Sequence, residues 1–292
     1  MPRRDGERVY ILGAGKVGKA LEHALRRAGW LVTLRAARRP LPRRIDTDLL
    51  VLAVRDRQLL ELVDRLPAVL AENVACVHVA GALRSDVLAP LRGHCAGVAQ
   101  MHPMISFASP RSFPTLLRGN VHVEGDPVAV RRARAVAKAI GMTPRTFPGL
   151  DTVGYHAAAA LVANGGAALA AQGVRVLEAS GVPANVAPKL LGPLLRSVAE
   201  NVENLGFPEA LTGPVRRGDS QAVARGAETL ERRAPEALPL YRAAVLAQVP
   251  LARALGEVSK ESLDAIERWA RSGSQSGKIG RAKPENSRSA KR

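Results

Sequence analysis

Strand-like and helix-like segments alternate along the first half of the chain. Candidate strands, apolar or alternating, lie at residues 9–12, 30–40, 47–56, 73–83, 97–107, 119–126 and 143–149. Apolar residues recur at helical spacing in segments between them, at residues 16–29, 59–70 and 127–142. Strands that alternate with helices predict an α/β domain with a parallel, doubly wound sheet over residues 1–150.

The pattern changes near residue 151. From there to residue 271 no segment reads as a strand, and helical periodicity fits residues 152–180, 186–205, 222–233 and 235–255. We therefore expect an all-α C-terminal domain over residues 151–270. No unbroken run of 18 apolar residues is present, so we expect no membrane span.

A glycine-rich turn follows the first predicted strand at once. Gly13, Gly15 and Gly18 form the pattern G-x-G-x-x-G between that strand and a predicted helix. In this context the first glycine permits a tight turn, the second lets a pyrophosphate approach the backbone, and the third lets helix and strand pack closely. The pattern predicts a Rossmann-type dinucleotide site. The alternative is a tight turn without a ligand.

The residues after the second strand indicate which dinucleotide is bound. An NAD site usually has Asp or Glu about 20 residues after the glycines, but no acid occurs at residues 25–45. Arg35, Arg38 and Arg39 stand there instead, and a guanidinium matches the geometry of a phosphate. We expect Arg35, with Arg38 or Arg39, to hold the 2′-phosphate of NADP (NADPH). A solvated basic loop is the alternative.

Further cofactor contacts follow from the placement of ligands in doubly wound sheets. Such ligands bind beyond the carboxyl ends of the strands. The expected contacts there are Gly13, Ala14, Gly15, Lys16, Val17, Gly18, Ala53, Val54 and Gly81.

Composition narrows the class of protein. The 292 residues, 47% of them hydrophobic, suffice for two domains with cores. The net charge is +17, but residues 271–292 contribute +6 of it in a Ser/Gly-rich tail that we expect to be disordered. Aromatic residues make up only 3%, and no nucleic-acid-binding motif is present, so no specific nucleic-acid partner is expected.

The cysteines and the N-terminus bear on the compartment. Cys76 and Cys95 do not have the spacing of metal ligands, so no metal site is expected. The N-terminal residues contain no apolar signal core. We expect a cytoplasmic protein without disulfides and without membrane contact.

Five motifs together resemble a known family. They are AVRD, HVAGAL, QMHPMISF, YHAAAALVAN and LTGPVRRGD, and the similarity spans residues 8–257. The chain resembles a bacterial family of Rossmann-type NADP oxidoreductases whose all-helical C-terminal domain is uncharacterised and similar to that of 6-phosphogluconate dehydrogenase. The resemblance implies the fold, the cofactor class and a homodimer built through the helical domain. It also implies a link to ketopantoate-type reductases, and HPM resembles prephenate dehydrogenases.

The sequence departs from the expected motifs in three places. Arg55 stands where proline is expected, and Ala80 stands where serine is expected. The related hydroxyacid dehydrogenases have Lys-x-x-x-Asn, but here Ala160 lies four residues before Asn164. These departures argue against a lysine as the acid or base.

His102 is the first candidate for catalysis. It ends a predicted strand, is followed by Pro103, and has Ser106 nearby as a candidate substrate contact. Histidine can donate a proton or a hydrogen bond to a substrate oxygen near neutral pH. Alternatively, His102 only hydrogen-bonds its loop.

Asn164 and His156 are further catalytic candidates on the long predicted helix. Eight residues apart, they border one helical face, and Gly165 and Gly166 permit close approach of a ligand or another backbone. Packing between helices is the alternative.

The loop at residues 211–219 supplies candidate substrate contacts. Thr212 and Arg217 lie on it, and Arg217 can bind a carboxylate bidentately. Asp219 either pairs with Arg217 or caps the next helix, and the cap is favoured.

These features predict an NADP-dependent oxidoreductase that reduces a small carbonyl compound, such as a 2-oxo acid of the ketopantoate type. A prephenate- or arogenate-dehydrogenase-like enzyme and a non-catalytic NADPH-binding regulator are the alternatives.

Overall fold

The structure, a computed structural model, describes residues 8–272. The chain divides into two compact units between Asn164 and Gly165, inside one long helix. The sequence placed the domain boundary near residue 150, where the strands end. The helix that follows begins in the first unit and ends in the second. The end of the strands and the division into compact units therefore fall at different residues.

The first unit contains a seven-stranded sheet. Its strands are β1 (Arg8–Leu12), β2 (Leu31–Arg35), β3 (Leu49–Leu52), β4 (Ala75–His78), β5 (Gly97–Pro103), β6 (Asn120–Gly125) and β7 (Thr143–Arg145). Its helices are α1 (Lys16–Arg27), α2 (Asp56–Val63) and α3 (Pro127–Ala139). The strand order is β2-β1-β3-β4-β5-β6-β7. The predicted doubly wound α/β fold is confirmed, and β1 and β3 meet where the order of connection reverses.

One strand pair differs from the all-parallel expectation. β5 and β6 are antiparallel, whereas every other neighbouring pair in the sheet is parallel. A parallel neighbour requires a crossover connection, usually a helix, and residues 104–119 contain no helix. The chain therefore returns directly, and the antiparallel register places His102 opposite His122.

The sheet is buried on both faces. All four residues of β3 are buried, and they alternate between two cores: Leu49 and Val51 join one, whereas Leu50 and Leu52 join the other. A parallel sheet covered on both sides requires such continuous apolar strands. The two cores hold the carboxyl ends of β1, β3, β4 and β5 at one rigid edge.

The chain is helical after the sheet, as predicted. The helices are α4 (Thr152–Ala179), α5 (Ala187–Leu205), α6 (Ser220–Arg233), α7 (Leu238–Leu255) and α8 (Lys260–Ser272), and the described part of this region has no strand. The sequence analysis missed α8. Leu263, Ile266 and Ala270 are buried at helical spacing in an otherwise polar segment, so a helical period was present there.

Helix α4 is unusually apolar. By length and composition alone it could cross a membrane, with a mean hydropathy of 1.3 over an 18-residue window, none of which is buried. The prediction of no membrane span was based on unbroken apolar runs, whereas this criterion averages hydropathy, and the alanines keep that average high. The absence of a span stays a prediction. Core helices of soluble proteins pass the same test.

Candidate functional site

The glycine-rich turn joins β1 to α1 beside the end of β3. Gly13 has φ +122°, and a Cβ there would lie 2.2 Å from the Ala53 carbonyl oxygen. A Cβ on Gly18 would lie 1.8 Å from the Gly13 oxygen. The protein's own packing therefore requires both glycines, and it brings Ala53 and Val54 against the turn.

Gly15 differs from these two glycines. It is exposed, its φ is −81°, and a Cβ added to it would meet nothing within 4 Å. It also stands at the N-cap of α1, where no side chain caps the helix and the first turn carries no acid. Space in front of an uncapped helix N-terminus is what a bound pyrophosphate requires.

The arginines lie at the end of β2. Arg35 is paired in register with Leu12, and its carbonyl accepts a hydrogen bond from Gly13 at 2.8 Å. Its guanidinium Nε also donates to the Pro40 carbonyl at 3.0 Å, which shapes the loop. Arg38 and Arg39 are exposed on that loop. Arg35 is thus partly structural, while Arg38 and Arg39 present their charges to solvent.

His102 lies at the carboxyl end of β5 and packs against the turn that ends β4. A Cβ on Gly81 would lie 2.2 Å from His156 Nδ1 and 2.7 Å from His102 Cε1. The two imidazole rings are 5.6 Å apart. Only glycine fits between this turn and the two rings, so Gly81 sets their approach.

The hydrogen bonds of His102 assign its proton. Nδ1 lies 3.2 Å from the Val79 carbonyl, and Nε2 is buried without a hydrogen-bond partner in the described structure. A carbonyl only accepts, so neutral His102 carries its proton on Nδ1 and Nε2 is an acceptor. Burial lowers the pKa of His102 despite the bond to Val79, and His156 and His122 lower it further. The neutral ring is therefore favoured.

A cavity of about 510 Å³ opens beside His102. It lies within the first unit, between the segment after β5 and the first half of α4. Its polar lining residues are His102, Ser106, His156 and Asn164. The rest of the lining is apolar: Pro103, Met104, Ile105, Phe107, Ala158, Ala159, Ala160, Val162 and Ala163. Among residues 8–272, no lysine or arginine lines it.

Buried polar side chains stabilise the turn after β4, beside the cavity. Gln100 Nε2 donates to the Ala80 carbonyl at 2.8 Å and lies 3.3 Å from that of Gly81. The Nε2–H of His78 donates to the Arg84 carbonyl at 3.1 Å, and burial lowers the pKa of His78 to about 4. These bonds fix the turn against which His102 packs.

A second cluster of polar side chains includes His122, the residue of β6 that is paired with His102 of β5. His122 is fully buried, its Nε2 is 3.4 Å from Glu124 Oε2, and Arg84 pairs with the other Glu124 oxygen at 2.6 Å. Burial lowers the pKa of His122, which Glu124 partly opposes. The Tyr155 ring lies 6.0 Å from that of His102 and 5.9 Å from that of His122. Burial raises the Tyr155 pKa.

Among residues 8–272, no set of three or more His, Cys, Asp or Glu side chains is arranged to hold a metal ion. The chemistry of the site rests on imidazoles, a phenol, an amide and a hydroxyl.

The chain was compared with protein-family models and with curated proteins. A family model described as a domain of unknown function (DUF2520) matches residues 120–248. A search of curated proteins finds no match.

Three solved structures resemble the chain closely in fold. A candidate NADP oxidoreductase from Bacteroides fragilis has a TM-score of 0.64 and 20% identity, covering 87% of this chain and 99% of that one. 1-Pyrroline-5-carboxylate reductase from Streptococcus pyogenes has a TM-score of 0.54 and 14% identity, covering 90% and 99%. A reductive aminase from Aspergillus terreus, solved with NADPH and ethyl-5-oxohexanoate, has a TM-score of 0.54 and 12% identity, covering 93% and 95%. At these identities the likeness shows a shared fold.

The structure brings several predicted site residues together. His102, Ser106, His156 and Asn164 line one cavity, and Gly81 lies beneath two of them. The predicted cofactor residues of the glycine-rich turn adjoin Ala53 at the same sheet edge. Their roles remain predictions.

The other predicted substrate residues lie in the second unit. Thr212 and Arg217 are exposed on their loop. The neighbouring Arg216 is held by Glu257 at 2.6 and 2.9 Å. Asp219 caps α6 by accepting from Ala222 N at 2.9 Å, so the favoured structural interpretation of Asp219 is confirmed.

Sequence reasoning missed the inner polar residues His78, Arg84, Gln100, His122 and Glu124. Gln100 stood inside a quoted motif, and its polarity within a buried strand was a usable signal. The pairing of His122 with His102 was not readable, because it depends on the antiparallel return of β6.

Proposed function

We propose that this protein is an NADP-dependent oxidoreductase that reduces a small compound at a C=O or C=N bond. The proposal is based on two features that lie at the same edge of the sheet. One is a glycine-rich turn whose middle glycine faces open space, and the other is an apolar cavity with an unpartnered imidazole nitrogen. Open α/β sheets bind ligands along this edge.

The residues present fit a dinucleotide. Gly15 and the α1 N-terminus would receive the pyrophosphate, Ala53 and Val54 would flank it, and Arg38 and Arg39 would hold a 2′-phosphate. The bound cofactor would supply the hydride. Two proteins of similar fold, a candidate NADP oxidoreductase and a reductive aminase solved with NADPH, support this assignment.

The protein's contribution at the reacting group would come from His102. In its neutral form Nε2 accepts, so it would hold a substrate N–H or O–H in place. Donation to a carbonyl oxygen would instead require the imidazolium, which burial disfavours. Asn164 and Ser106 line the same cavity and would orient the rest of the substrate.

Two substrate classes follow. A protonated imine presents an N–H to His102, and the uncharged cavity wall suits its apolar substituents; the similar folds include a pyrroline-carboxylate reductase and a reductive aminase. A 2-oxo acid of the ketopantoate type is the second class. It needs a cation for its carboxylate, and among residues 8–272 no lysine or arginine lines the cavity.

The test is NADPH oxidation with cyclic imines and 2-oxo acids, together with NADP⁺ reduction with prephenate. We expect the wild-type turnover of imines to fall as pH falls, because His102 becomes protonated. The turnover of His102→Gln should depend less on pH, because glutamine does not titrate. Carbonyl reduction through the imidazolium would instead rise as pH falls. NADPH binding without turnover of any compound would favour a regulator.

We also propose that the helical unit forms a homodimer. On α5, Leu190, Leu194, Leu195, Val198, Val202 and Leu205 are exposed at helical spacing. An apolar cavity of about 630 Å³ also opens among α4, α5, α6 and α7 within this unit. Exposed apolar stripes of this kind mark interaction surfaces. A second copy of α5 would present a matching stripe, since paired surfaces of a twofold dimer are self-complementary.

A further inference from the structure

A groove of about 900 Å³ opens on the surface of the first unit, between α3 and the residues that follow α1. Both helices pack on the same core beside the sheet: Leu21 and Leu25 of α1 and Ala133 of α3 belong to it. The groove is the gap that these two helices leave at the surface. Its apolar lining is formed by Ala28, Pro127, Val130, Ala135 and Ala139.

The charged side chains of this groove are basic. Arg131, Arg134 and Lys138 line it, and among residues 8–272 no Asp or Glu does. Their spacing of three and seven residues places them on one face of α3, over about 10 Å of helix. Arg131 and Lys138 are exposed, whereas Arg134 donates to Thr146 Oγ1 at 3.1 Å. The groove therefore presents a row of cations, one of which is held in place.

An aromatic side chain lies beside this row. Trp30 lines the groove, and it is half-buried because it also packs against the core. The chain has two tryptophans. The other, Trp269, lies in the second unit, where the Arg242 guanidinium covers its ring at 4.4 Å. Trp30 is thus a reporter of the groove once Trp269 is replaced.

The groove is separate from the proposed cofactor site. Gly15 stands at the N-cap of α1 and Ala28 at its C-cap. Thirteen residues of helix span about 20 Å. The groove therefore lies at the other end of α1 from the turn proposed to hold a pyrophosphate.

We propose that this groove binds single-stranded nucleic acid without sequence preference, with the three cations on successive phosphates and Trp30 stacked on a base. Proteins that bind single strands combine such a row of cations with aromatic side chains, and every base offers a face for stacking. A net charge of +17 would attract a polyanion from a distance. The site goes beyond the proposed oxidoreductase function and does not rest on it.

The first experiment measures the anisotropy of a fluorescein-labelled oligothymidylate of about 12 nucleotides, titrated with the full chain at several salt concentrations. In Arg131→Ala with Lys138→Ala, the Kd should rise at least about tenfold. The slope of log K against log salt should become shallower by about 1.4, since each phosphate contact on a single strand contributes about 0.7. Both residues are exposed on a helix, so the melting temperature should stay that of the wild type.

Two further pairs remove the same charge elsewhere. Arg232→Ala with Lys260→Ala, at exposed positions of the second unit, should leave the Kd and the salt slope near those of the wild type. Arg281→Ala with Lys283→Ala lowers the charge of residues 271–292, which contribute +6. An unchanged Kd in the groove variant, or a larger loss of affinity in either of these pairs, would overturn the proposal.

The second experiment tests stacking directly. In Trp269→Phe, Trp30 is the one remaining tryptophan. We expect oligothymidylate to quench its fluorescence, and an abasic strand of the same length to quench it much less, because that strand carries phosphates but no bases. Equal quenching by the two strands, or no quenching by oligothymidylate at saturation, would overturn the proposal.

Discussion

The two units of this chain each have a buried core but differ in where their exposed large apolar side chains lie. In the α/β unit the largest fully buried side chains, from Ile11 to Leu91, close two cores around the sheet. In the helical unit, α5 buries only Ala187 and exposes six aliphatic residues. Among residues 8–272, the exposed large apolar side chains of the first unit are spread over several elements, whereas six of those in the second unit lie on one helix. We infer that chemistry belongs to the first and assembly to the second.

Replacement of His102 by alanine should have the largest effect. The change removes the accepting nitrogen from the cavity, so turnover should fall by about 10²–10⁴-fold, the range for a general acid or base. NADPH affinity should barely change, because the residues proposed to hold the phosphates are elsewhere. Steady-state kinetics with the substrate found in the imine and oxo-acid panel measure the first effect, and fluorescence titration the second. Full activity would shift the proposed role to Asn164 or Tyr155.

Two substitutions to glutamate on α5 should disrupt dimerisation without affecting NADPH binding. Leu194→Glu with Val198→Glu would place charges at the proposed dimer interface, so light scattering at about micromolar concentration should change from dimer to monomer. Arg196→Glu, on the same helix and also exposed, is the matched control and should remain dimeric. NADPH binding should survive in both variants.

Two outcomes would contradict the dimer. A wild-type chain that is monomeric by light scattering would leave the stripe on α5 unexplained. A chain that sediments with membranes and needs detergent would assign the apolar helices to a bilayer instead.

The buried polar side chains beside the cavity should make stability depend on pH. The pKa of buried His78 is about 4 in the folded chain, against 6.5 as the ordinary value. The unfolded chain therefore binds more protons between these pH values, so stability is lost as pH falls from 6.5 toward 4, by about 3 kcal/mol from His78. His102 and His122 act in the same direction.

Urea unfolding at pH 7 and pH 5 checks this. The variant His78→Gln should flatten the loss of stability between the two pH values, whereas His94→Gln, at an exposed position, should leave it unchanged. Equal pH dependence in the wild type and His78→Gln would show that His78 is not the group responsible.

The smallest expected effect concerns cofactor choice. Arg38→Ala with Arg39→Ala should weaken NADPH by about 1–3 kcal/mol, the value of charged hydrogen bonds, and spare NADH. Arg43→Ala, an exposed arginine nearby, is the control. Isothermal titration with both cofactors measures it, and equal affinity of the native protein for NADPH and NADH would refute the 2′-phosphate assignment.

The parts of the molecule that depend on local patterns were readable from sequence. Periodicity gave the sheet and four of the five later helices, and the G-x-G-x-x-G pattern marked a turn whose outer glycines are sterically required. His102 was predicted as a site residue because the carboxyl ends of parallel strands lie at one edge of the sheet. The ring nitrogen that carries its proton could not be predicted, because it depends on the distance to the Val79 carbonyl.

Other features depend on pairing between distant segments. The opposition of His102 and His122 follows from strand register, which no local pattern specifies. The apolar character of α4 was underestimated because His156, Asn164, Gln172 and the glycines interrupt any unbroken run of apolar residues.

The most direct test of the central claim is Gly15→Ala. Its backbone lies at φ −81°, and the added Cβ meets nothing within 4 Å, so the melting temperature should stay that of the wild type. Gly192→Ala, which is also free of contacts, serves as the control. If the turn holds a pyrophosphate, the methyl group will occupy the ligand's place and the Kd for NADPH should rise at least about tenfold, since steric overlap costs more than 1.4 kcal/mol. An unchanged Kd for NADPH in a folded Gly15→Ala protein would contradict the assignment of this edge as the cofactor site.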